Sequence, residues 1–453
     1  MRDVAIIGAG ITGLVAACEV HRRGARPVIF EASPRTGGLI RTEHSEGFTI
    51  EAGPDSVLGS KPAGLELIRD LGLEGEVQTV RPPGVAFVLR GETLFALPRP
   101  SFLGIPLNHD ALLGYDLLSD EARARMGAEP GVPRRDAAGD ESVASFFRRR
   151  FGPETVDLIA QPLLGGIHAG DIDQLSMRSL FPRLLDLERE HGSVTAGLRA
   201  ASEPSAVATS GVQPSIGEIK GFASLRGGMG ALVRALEERL PPGTIRLETP
   251  VWQLDQVRTA RQPMIIAAPA FVAASLLAPL DEEASRLCAQ VPYVSTASVA
   301  LGWPRAAIAH PLSGTGFVVA RRHSDVRITA CTWVSSKWAS RAPADRVLLR
   351  VFLGGAHDPD AASLPDAELV TIVRRDLRLV LGIDAEPSLS RVYRWRNAGA
   401  QHTVGHLDRV AEIERRIHPH GIFTAGSGFR SVGIPDCIVD ARRAAEAVIA
   451  AGG

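Results

Sequence analysis

Cysteine is scarce in this chain of 453 residues, and its four cysteines, Cys18, Cys288, Cys331 and Cys437, are scattered along it. Their spacing matches neither a disulfide framework nor a zinc site, so the sequence predicts buried free thiols, no bound metal and a reducing, cytoplasmic location. A strong charge of either sign is also missing, because 50 Lys and Arg residues oppose 51 Asp and Glu residues. We therefore expect a small-molecule partner and no nucleic acid.

Long apolar segments are lacking as well. The longest uncharged stretch runs from Met264 to Leu280, and Pro263, Pro269 and Pro279 make it a poor membrane span. It indicates a buried strand followed by a helix. The sequence also has no Ser/His/Asp set, HExxH motif or carboxylate pair at a convincing spacing. The residues alone therefore indicate no catalytic side chain.

The N-terminal segment DVAIIGAGITGLVAACEVHRRGARPVIFEAS has the pattern of a strand, a glycine turn, a helix and a second strand. In this spacing Gly8 makes the tight turn, Gly10 lets a pyrophosphate approach the backbone, and Gly13 packs the helix on the strand. Glu31 ends the second strand, 18 residues beyond Gly13. Its carboxylate can accept hydrogen bonds from ribose hydroxyls, so the segment predicts a dinucleotide site.

The residues after Glu31 distinguish between two dinucleotides. A basic residue, Arg35, precedes the glycine doublet Gly37-Gly38, and a second basic residue, Arg41, follows it. We expect Arg35 over the ribose or phosphate side and the doublet amides near the second half of the pyrophosphate. This pattern resembles the large flavoprotein family that contains amine oxidases, phytoene desaturases and protoporphyrinogen oxidases. The resemblance implies FAD as the cofactor, not NAD.

The length of the chain predicts two or three domains. The segments Thr244–Leu254 and Met264–Ala270 have the near-continuous apolar pattern of strands in a sheet covered on both faces, so the chain is expected to return there to the first domain. A helix is predicted near 62–71, and mainly helices are predicted from Arg99 to about Arg199. The stretch Ala201–Ser215 is small and polar enough to predict a disordered loop.

A second sheet is predicted in the remaining part of the chain. A hairpin joins strands near 85–89 and 94–97, and four alternating strands between Val294 and Leu353 indicate an antiparallel sheet. A helix over Asp366–Leu381 and a strand over Ser388–Arg394 follow. At the C-terminus, Phe423–Cys437 has the pattern of a strand and glycine turn leading into a helix over 436–449.

Four segments together resemble the protoporphyrinogen oxidases: GPDS at 53–56, QPLLGGIHAGDIDQLSM at 161–177, SLRGGMGALVRALEERL at 224–240 and AGSGFRSVGIPDCIVDARRAAE at 425–446. They follow the order of the family over essentially the whole chain. The resemblance implies an α/β fold with a Rossmann-like, glutathione-reductase-like FAD-binding domain at 1–60, 216–285 and 407–453. It also implies a substrate-binding domain with a mixed or antiparallel sheet at 61–98 and 286–406, and a helical, membrane-associated domain at 99–215.

The resemblance further implies an oxygen-dependent FAD oxidase of haem biosynthesis. Its reaction is the six-electron oxidation of protoporphyrinogen IX to protoporphyrin IX, with hydride transfer to flavin N5 and release of three H2O2. Coproporphyrinogen III is the alternative substrate; its four propionates require more positive charge, for which the candidates are Arg90, Arg99, Arg178 and Arg183. The sequence also leaves open a flavin amine oxidase or carotenoid desaturase, and a non-catalytic protein that binds FAD and porphyrin.

The motifs and the resemblance predict the cofactor contacts from four parts of the chain. The predicted FAD-binding residues are Gly8, Ala9, Gly10, Ile11, Thr12, Gly13, Glu31, Ala32, Arg35, Gly37, Gly38, Leu39, Gly53, Pro54, Asp55, Ser56, Val251, Gly426, Val432, Gly433 and Ile434. In this interpretation the C-terminal glycines belong to the N-terminal site, and the last helix directs its N-terminus at the flavin's pyrimidine edge. A helix N-terminus there stabilises the negative charge that develops when the flavin is reduced.

The substrate contacts are predicted from the resemblance. At Gly165 and Gly166 the family places a backbone carbonyl close to the pyrrole N–H groups, and glycine permits that approach; an ordinary helix-breaking turn is the alternative. Many relatives have an arginine for a propionate where this chain has Ala86. Arg90 or Arg99 is the predicted replacement, since a guanidinium can hold a carboxylate bidentately, although each can equally be a solvated surface arginine.

Two further residues have open interpretations. Trp338 is predicted either to stack on a pyrrole or to belong to the core. His402 lies where relatives have an aromatic residue near the flavin, with a structural histidine as the alternative. For FFRRRFG at Phe146–Gly152 we weigh a peripheral patch at the inner face of the cell membrane against a packed helix with solvated arginines. A homodimer is expected by default.

Overall fold

The computed structural model of the protein describes residues 3–135, 139–201, 216–259 and 262–451. The chain divides into two compact units, each discontinuous in sequence. Unit 1 comprises Met1–Val80, Pro214–Tyr293 and His406–Gly453, and unit 2 comprises Arg81–Gln213 and Val294–Gly405. The predicted helical segment 99–215 falls almost wholly in unit 2, so its status as a domain of its own stays a prediction. The predicted disordered loop, Ala201–Ser215, lies outside the described residues except for Ala201.

The strands of the described chain are numbered in chain order. They are β1 (Asp3–Ile7), β2 (Arg26–Phe30), β3 (Thr42–Ser45), β4 (Phe48–Glu51), β5 (Val57–Leu58), β6 (Val77–Thr79), β7 (Ala86–Arg90), β8 (Thr93–Ala96), β9 (Ser101–Phe102), β10 (Ile105–Pro106), β11 (Phe222–Leu225), β12 (Ile245–Arg246), β13 (Met264–Ile266), β14 (Tyr293–Pro304), β15 (Gly316–Val319), β16 (Ala330–Trp333), β17 (Arg346–Gly354), β18 (Leu389–Ala400) and β19 (Ile422–Thr424).

The α-helices are numbered in the same way. They are α1 (Ile11–Arg22), α2 (Ala63–Asp70), α3 (His109–Leu113), α4 (Asp120–Gly127), α5 (Val143–Phe151), α6 (Gly166–His168), α7 (Met177–Leu180), α8 (Pro182–His191), α9 (Val194–Ala201), α10 (Gly230–Glu238), α11 (Ala270–Leu277), α12 (Glu282–Ala289), α13 (Val334–Lys337), α14 (Asp366–Leu381), α15 (His406–Ile417) and α16 (Ile434–Ala450). A π-helix spans Val156–Gly165, directly before α6.

Unit 1 is built on a five-stranded parallel sheet with the strand order β12-β2-β1-β13-β19. Successive residues of β1 serve opposite faces: Val4 and Ile6 pack in one apolar cluster, and Ala5 and Ile7 pack in another. This alternation is how a buried parallel strand covers both faces, and it explains the apolar run in the sequence. The prediction that 264–270 returns to this sheet as a strand followed by a helix is confirmed by β13 and α11.

One strand prediction in unit 1 is largely wrong. The segment Thr244–Leu254 forms only the two-residue β12, and a 3-10 helix begins at Leu254. Two features stop the strand. Glu248 has a left-handed φ of 49°, and Pro250 has no backbone N–H to donate to a neighbouring strand.

Unit 2 contains a seven-stranded sheet with the order β18-β14-β17-β16-β15-β7-β8. The predicted hairpin and the antiparallel strands are present, but β15 pairs with β7 in parallel, so the sheet is mixed. Helix α14 covers this sheet with the stripe Leu369, Val373, Leu377 and Leu381, which shares one core with the strands. The spacing of four residues explains why the helix was predicted with its observed bounds.

Helix α5 contains all of the FFRRRFG motif except its last residue, Gly152, and buries the motif's phenylalanines. Phe146, Phe147 and Phe151 are each 0% exposed, so the interpretation as a membrane-surface patch is wrong for this segment. The alternative, a helix packed by its phenylalanines with solvated arginines, is confirmed for the phenylalanines and for the exposed Arg148, but not for Arg150, which is 0% exposed and pairs with Glu129. Among the described residues no helix is long and apolar enough to cross a membrane.

Candidate functional site

The first turn of unit 1 is shaped by glycines that leave no room for a side chain. Gly8 follows β1 with a φ of +102°, and a Cβ there would lie 2.7 Å from Ala267 O. A Cβ on Gly13 would lie only 1.9 Å from Gly8 O, so α1 packs on the turn at the closest approach of two backbones. Gly10 is the N-cap of α1 and supplies no side-chain hydrogen bond. The first amides of α1 are thereby left to bind an anion.

Glu31 is fixed at the edge of this turn. Its Oε2 accepts from Ala9 N at 2.7 Å and its Oε1 accepts from Ser33 N at 2.8 Å. The carboxylate is partly buried, whereas the neighbouring Ala32 is exposed. A carboxylate has about four lone-pair sites, so after these two bonds it retains capacity to accept hydroxyl donors. The geometry therefore suits the predicted ribose contact.

The glycine doublet adopts a backbone conformation that side chains disfavour. Gly37 has a φ of +90° and Gly38 a φ of +57°, and Gly37 N donates to Ala9 O at 2.8 Å. Arg35 donates to Gly38 O at 2.5 Å and to two other carbonyls of the same loop. Burial, followed by the nearby Arg41 charge, lowers the pKa of Arg35. Arg35 thus holds the loop together in this structure, although it was predicted to lie over the ribose or phosphate.

The remaining N-terminal and central cofactor candidates lie in unit 1. Gly53, Pro54, Asp55 and Ser56 are partly buried and connect β4 to β5; Leu39 is 41% exposed. Ser56 Oγ donates to Asp55 Oδ1 at 2.7 Å, and Ser224 Oγ donates to Asp55 O at 2.6 Å, which fixes the segment. Val251 packs against the apolar cluster that contains Ile7.

The C-terminal glycines follow the strand at the far end of the parallel sheet. Because β1, β13 and β19 are parallel, Gly8 and Gly426 both follow the carboxyl ends of their strands, at one edge of the sheet. Gly426 has a φ of +110°, and its N–H donates to Asp440 Oδ2 at 2.8 Å. Gly433 is the N-cap of α16 without a side-chain hydrogen bond. Val432 is partly buried and Ile434 is buried in the core.

These features fit a dinucleotide and explain which residues would hold it. The glycine turns would bring backbone amides to the pyrophosphate, α1 would direct its N-terminus at it, and Glu31 would accept from a ribose. A Cβ on Gly8 or Gly13 would collide with the backbone that forms the cradle. The described residues contain no group of His, Cys, Asp and Glu side chains that could hold a metal.

The two candidate arginines in unit 2 are both engaged with backbone carbonyls. Arg90 is partly buried, and its Nη1 donates to Leu117 O at 2.8 Å. Arg99 is exposed and donates to Pro83 O and Gly84 O. A guanidinium has five N–H donors, so each retains donors for a carboxylate.

Trp338 and His402 do not have the accessibility that their predicted substrate roles require. Trp338 is 0% exposed, which favours the core alternative, and Lys337 Nζ lies 4.9 Å from the centre of its ring. His402 is 1% exposed, and its Nδ1 is 2.7 Å from Ser179 Oγ. Burial removes the indole face from a ligand, and it likewise favours the structural alternative for His402.

Gly165 and Gly166 lie where the π-helix passes into α6. Gly165 is buried, and a Cβ there would lie 2.5 Å from Gln161 Nε2. Gly166 is exposed, with no atom within 4 Å of the position of a Cβ. Open space at Gly166 suits close approach of a bulky ligand. The sequence interpretation missed Gln161 and Gln401, whose side chains bind this turn, because no local pattern marks a glutamine whose partner lies far along the chain.

Comparisons with known proteins agree on one family. The family model for flavin-containing amine oxidoreductases matches residues 11–449. The chain is 35% identical to coproporphyrinogen III oxidase of Bacillus subtilis (strain 168), over 96% of both chains. It is 28% identical to the chloroplastic protoporphyrinogen oxidase of Nicotiana tabacum, over 98% of this chain and 85% of the relative. A crystal structure from Exiguobacterium sp. 255-15, provisionally described as a protoporphyrinogen oxidase, has a TM-score of 0.85, 30% identity and 98% coverage of both chains.

The family match covers nearly the whole chain, and the relatives cover 96% and 98% of it. Both the cradle at the sheet edge and the flavin named in the family description point to the same cofactor. This chain therefore belongs to the flavin-containing amine oxidoreductases, carries FAD, and falls within that family among the porphyrinogen oxidases.

Proposed function

We propose that this chain oxidises coproporphyrinogen III to coproporphyrin III. The observation that carries the proposal is the greater similarity to the Bacillus subtilis coproporphyrinogen III oxidase, at 35% identity, than to the tobacco protoporphyrinogen oxidase, at 28%. Protoporphyrinogen IX, the substrate implied first by the sequence, becomes the alternative. Six electrons and six protons leave the macrocycle, and three molecules of O2 take them up as three H2O2.

The chain's contribution to this reaction is binding and orientation. When bound, FAD supplies the hydride-accepting centre. Gly8, Gly10 and Gly13 would bring the backbone of unit 1 to the pyrophosphate, and Glu31 would accept from the ribose. The N-terminus of α16, at Gly433, would stabilise negative charge on the cofactor's ring system.

In unit 2, the exposed Gly166 brings its backbone to the pyrrole N–H groups of the macrocycle. Backbone carbonyls are suited to this task because pyrrole nitrogens in a porphyrinogen are hydrogen-bond donors. Arg99 is the stronger candidate for a propionate, since it is exposed while Arg90 is partly buried. The bidentate geometry of its guanidinium matches a carboxylate.

Anaerobic mixing tests the proposal directly. Purified holoenzyme is mixed without O2 with coproporphyrinogen III or protoporphyrinogen IX, and bleaching of the flavin absorbance is followed. We expect rapid bleaching by coproporphyrinogen III, recovery of the flavin spectrum on admitting O2, and kcat/KM at least about tenfold higher than for protoporphyrinogen IX, which corresponds to about 1.4 kcal/mol of discrimination.

The controls test the class of reaction independently of which porphyrinogen is the substrate. Putrescine serves as an amine substrate and should leave the flavin oxidised. Bleaching by protoporphyrinogen IX with the higher kcat/KM would overturn the substrate assignment alone. Failure of both porphyrinogens to bleach the flavin would defeat the oxidase.

A further inference from the structure

The turn 165–170 in unit 2 has an unusual construction. It begins at the end of a π-helix, a rare element that is often found at functional sites. Ala169 has a left-handed φ of 49°, which is uncommon outside glycine. At its apex Gly166 is exposed and Ile167 is 63% exposed, although the flanking residues Gly165 and Gly170 are buried. Strain at such a turn persists only where the surroundings hold it.

Three consecutive carbonyls on the returning side of the turn are each held by a donor. Gln401 Nε2 donates to His168 O at 3.0 Å, Ala356 N donates to Ala169 O at 2.8 Å, and Gln161 Nε2 donates to Gly170 O at 3.0 Å. With these carbonyls oriented inwards, the turn cannot rotate without breaking several hydrogen bonds.

The two glutamines differ in their surroundings. Gln401 is 5% exposed, and its Oε1 would lie 2.3 Å from a Cβ on Gly170, so close packing also holds that side. On the other side, a cavity of about 200 Å³ is lined by Gln161 together with Asp171, Ile172, Arg321, Arg322 and His357 among others. On the side of the cavity, the open space gives the turn no support from packing. Besides the backbone bond from Gly170 N to Gly165 O at 3.0 Å, its position there depends on the two hydrogen bonds of Gln161, to Gly170 O and from Ile172 N at 3.3 Å.

We propose that Gln161 and Gln401 are positioning residues that fix the turn 165–170 and so present Gly166 and Ile167 to the macrocycle, with Gln161 the more critical of the two. This assignment rests on the proposed function. The glutamines act through the turn and do not touch the substrate. Their loss should weaken porphyrinogen binding while leaving FAD, which is held in unit 1, unaffected.

The test compares Gln161→Leu and Gln401→Leu with two controls. Gln174→Leu removes an exposed glutamine nearby, which donates to Asp171 Oδ2 at 3.2 Å and does not bind the turn's carbonyls. Gln78→Leu removes a buried glutamine that donates to Leu225 O in unit 1. For the holoenzymes we measure KM and kcat with coproporphyrinogen III, flavin content, and hydrogen–deuterium exchange of peptides covering 165–170.

Gln161→Leu is expected to raise KM about tenfold with a smaller change in kcat, and to accelerate exchange in the turn about tenfold, at unchanged flavin content. Gln401→Leu should show the same pattern with about a threefold effect, and both controls should match the wild type. Gln161→Glu adds a pH signature: its carboxylate cannot donate to Gly170 O, but the protonated acid can, so KM should fall towards the wild-type value as the pH is lowered.

Unchanged exchange in both glutamine variants would overturn the positioning role. Faster exchange with an unchanged KM would overturn the contact between the turn and the substrate. A wild-type enzyme that oxidises neither porphyrinogen would instead defeat the proposed function, and the exchange measurement would still decide whether the glutamines hold the turn.

Discussion

The cofactor cradle of unit 1 and the helical segment of unit 2 are built on opposite principles. In the cradle, backbones approach so closely that Gly8 and Gly13 can have no side chain. In the helical segment, fully buried charged side chains hold α5 in place: Arg150 pairs with Glu129, which also accepts from Ser193 Oγ and the amides of Val194 and Thr195. The comparison teaches that the turn at Gly8 and Gly13 has no room for an added side chain, whereas the core around α5 depends on keeping the partners of its buried charges.

The largest effect is expected at Gly13. In Gly13→Val the Cβ would stand 1.9 Å from Gly8 O, and neither backbone can move without separating α1 from β1. We expect a loss of more than about 3 kcal/mol in the free energy of unfolding, or no folded protein at all, and no retained flavin. Urea unfolding and the flavin absorbance of the purified protein measure the two outcomes.

Gly75→Val is the matched control for this change, because Gly75 lies in the same unit with no atom within 4 Å of a Cβ position. Its flavin content should equal that of the wild type. A Gly13→Val protein that folds with bound flavin would contradict the account of the cradle as a contact between backbones.

The stability of the core around α5 should fall almost as much in Glu129→Gln. The substitution keeps the shape but removes the carboxylate closest to Arg150, which is 0% exposed and retains a longer pair with Glu188 Oε1 at 3.4 Å. Removing one partner of a buried pair costs about 3–5 kcal/mol, which urea unfolding would report as a lower midpoint. If the variant folds, flavin content should be unchanged, since both residues belong to unit 2.

Glu190→Gln provides the contrast at the surface. The Glu190 carboxylate is 59% exposed and lies 3.7 Å from Arg189, so its loss should cost less than about 0.5 kcal/mol. Equal effects of the two substitutions would refute the idea that burial of the Glu129 pair determines its importance.

Lowering the pH should also remove the stabilisation that the Glu129 carboxylate provides, but gradually. Burial acts to raise the pKa of Glu129, but hydrogen bonds from Ser193, Arg150 and Thr195 outweigh it and hold the pKa below its ordinary value of 4.5. A depressed pKa means that this carboxylate stabilises the fold fully above pH 4.5 and loses that effect as the pH falls below it. Urea midpoints of the wild type should therefore decline more between about pH 5 and pH 3 than those of Glu129→Gln. Parallel declines would show that other groups dominate.

The contrast between the units also explains which parts of the fold could be predicted from the sequence. The turn at Gly8, α1 and the end of β2 were predicted nearly to the residue, because each requirement is local: tight backbone, helix packing and an acid at fixed spacing. Helix α14 could be predicted equally well, from the regular spacing of its apolar residues. The truncation of the predicted strand at 244–254 was missed, because apolar residues outweighed the signal from Pro250.

The charge network around α5 could not have been predicted in this way. FFRRRFG has the same letters whether its arginines are solvated or paired, and the partner Glu129 lies 21 residues before Arg150. Burial of Trp338 and His402 likewise depends on the tertiary packing of unit 2. A sequence pattern predicts which face of a helix or strand a residue lies on. Whether that residue is buried depends on which other segments pack against the face.

The smallest effect is expected at the C-terminal end of the cradle, where space is available. Gly433 has an extended backbone (φ −124°, ψ 166°) that any residue adopts, and a Cβ there would lie 3.3 Å from Asp436 Oδ2, at the end of a partly exposed side chain that pairs with Lys61. Gly433→Val should therefore fold with near-wild-type stability, yet its added methyl groups stand at the N-terminus of α16, which we place at the flavin. We expect the dissociation constant for FAD to rise about tenfold, equivalent to about 1.4 kcal/mol, with a shifted reduction potential. Equilibrium binding to the apoprotein measures the first and a redox titration the second, with Gly75→Val again as the control. Unchanged affinity, potential and spectrum would remove α16 from the site and confine the cradle to its N-terminal half.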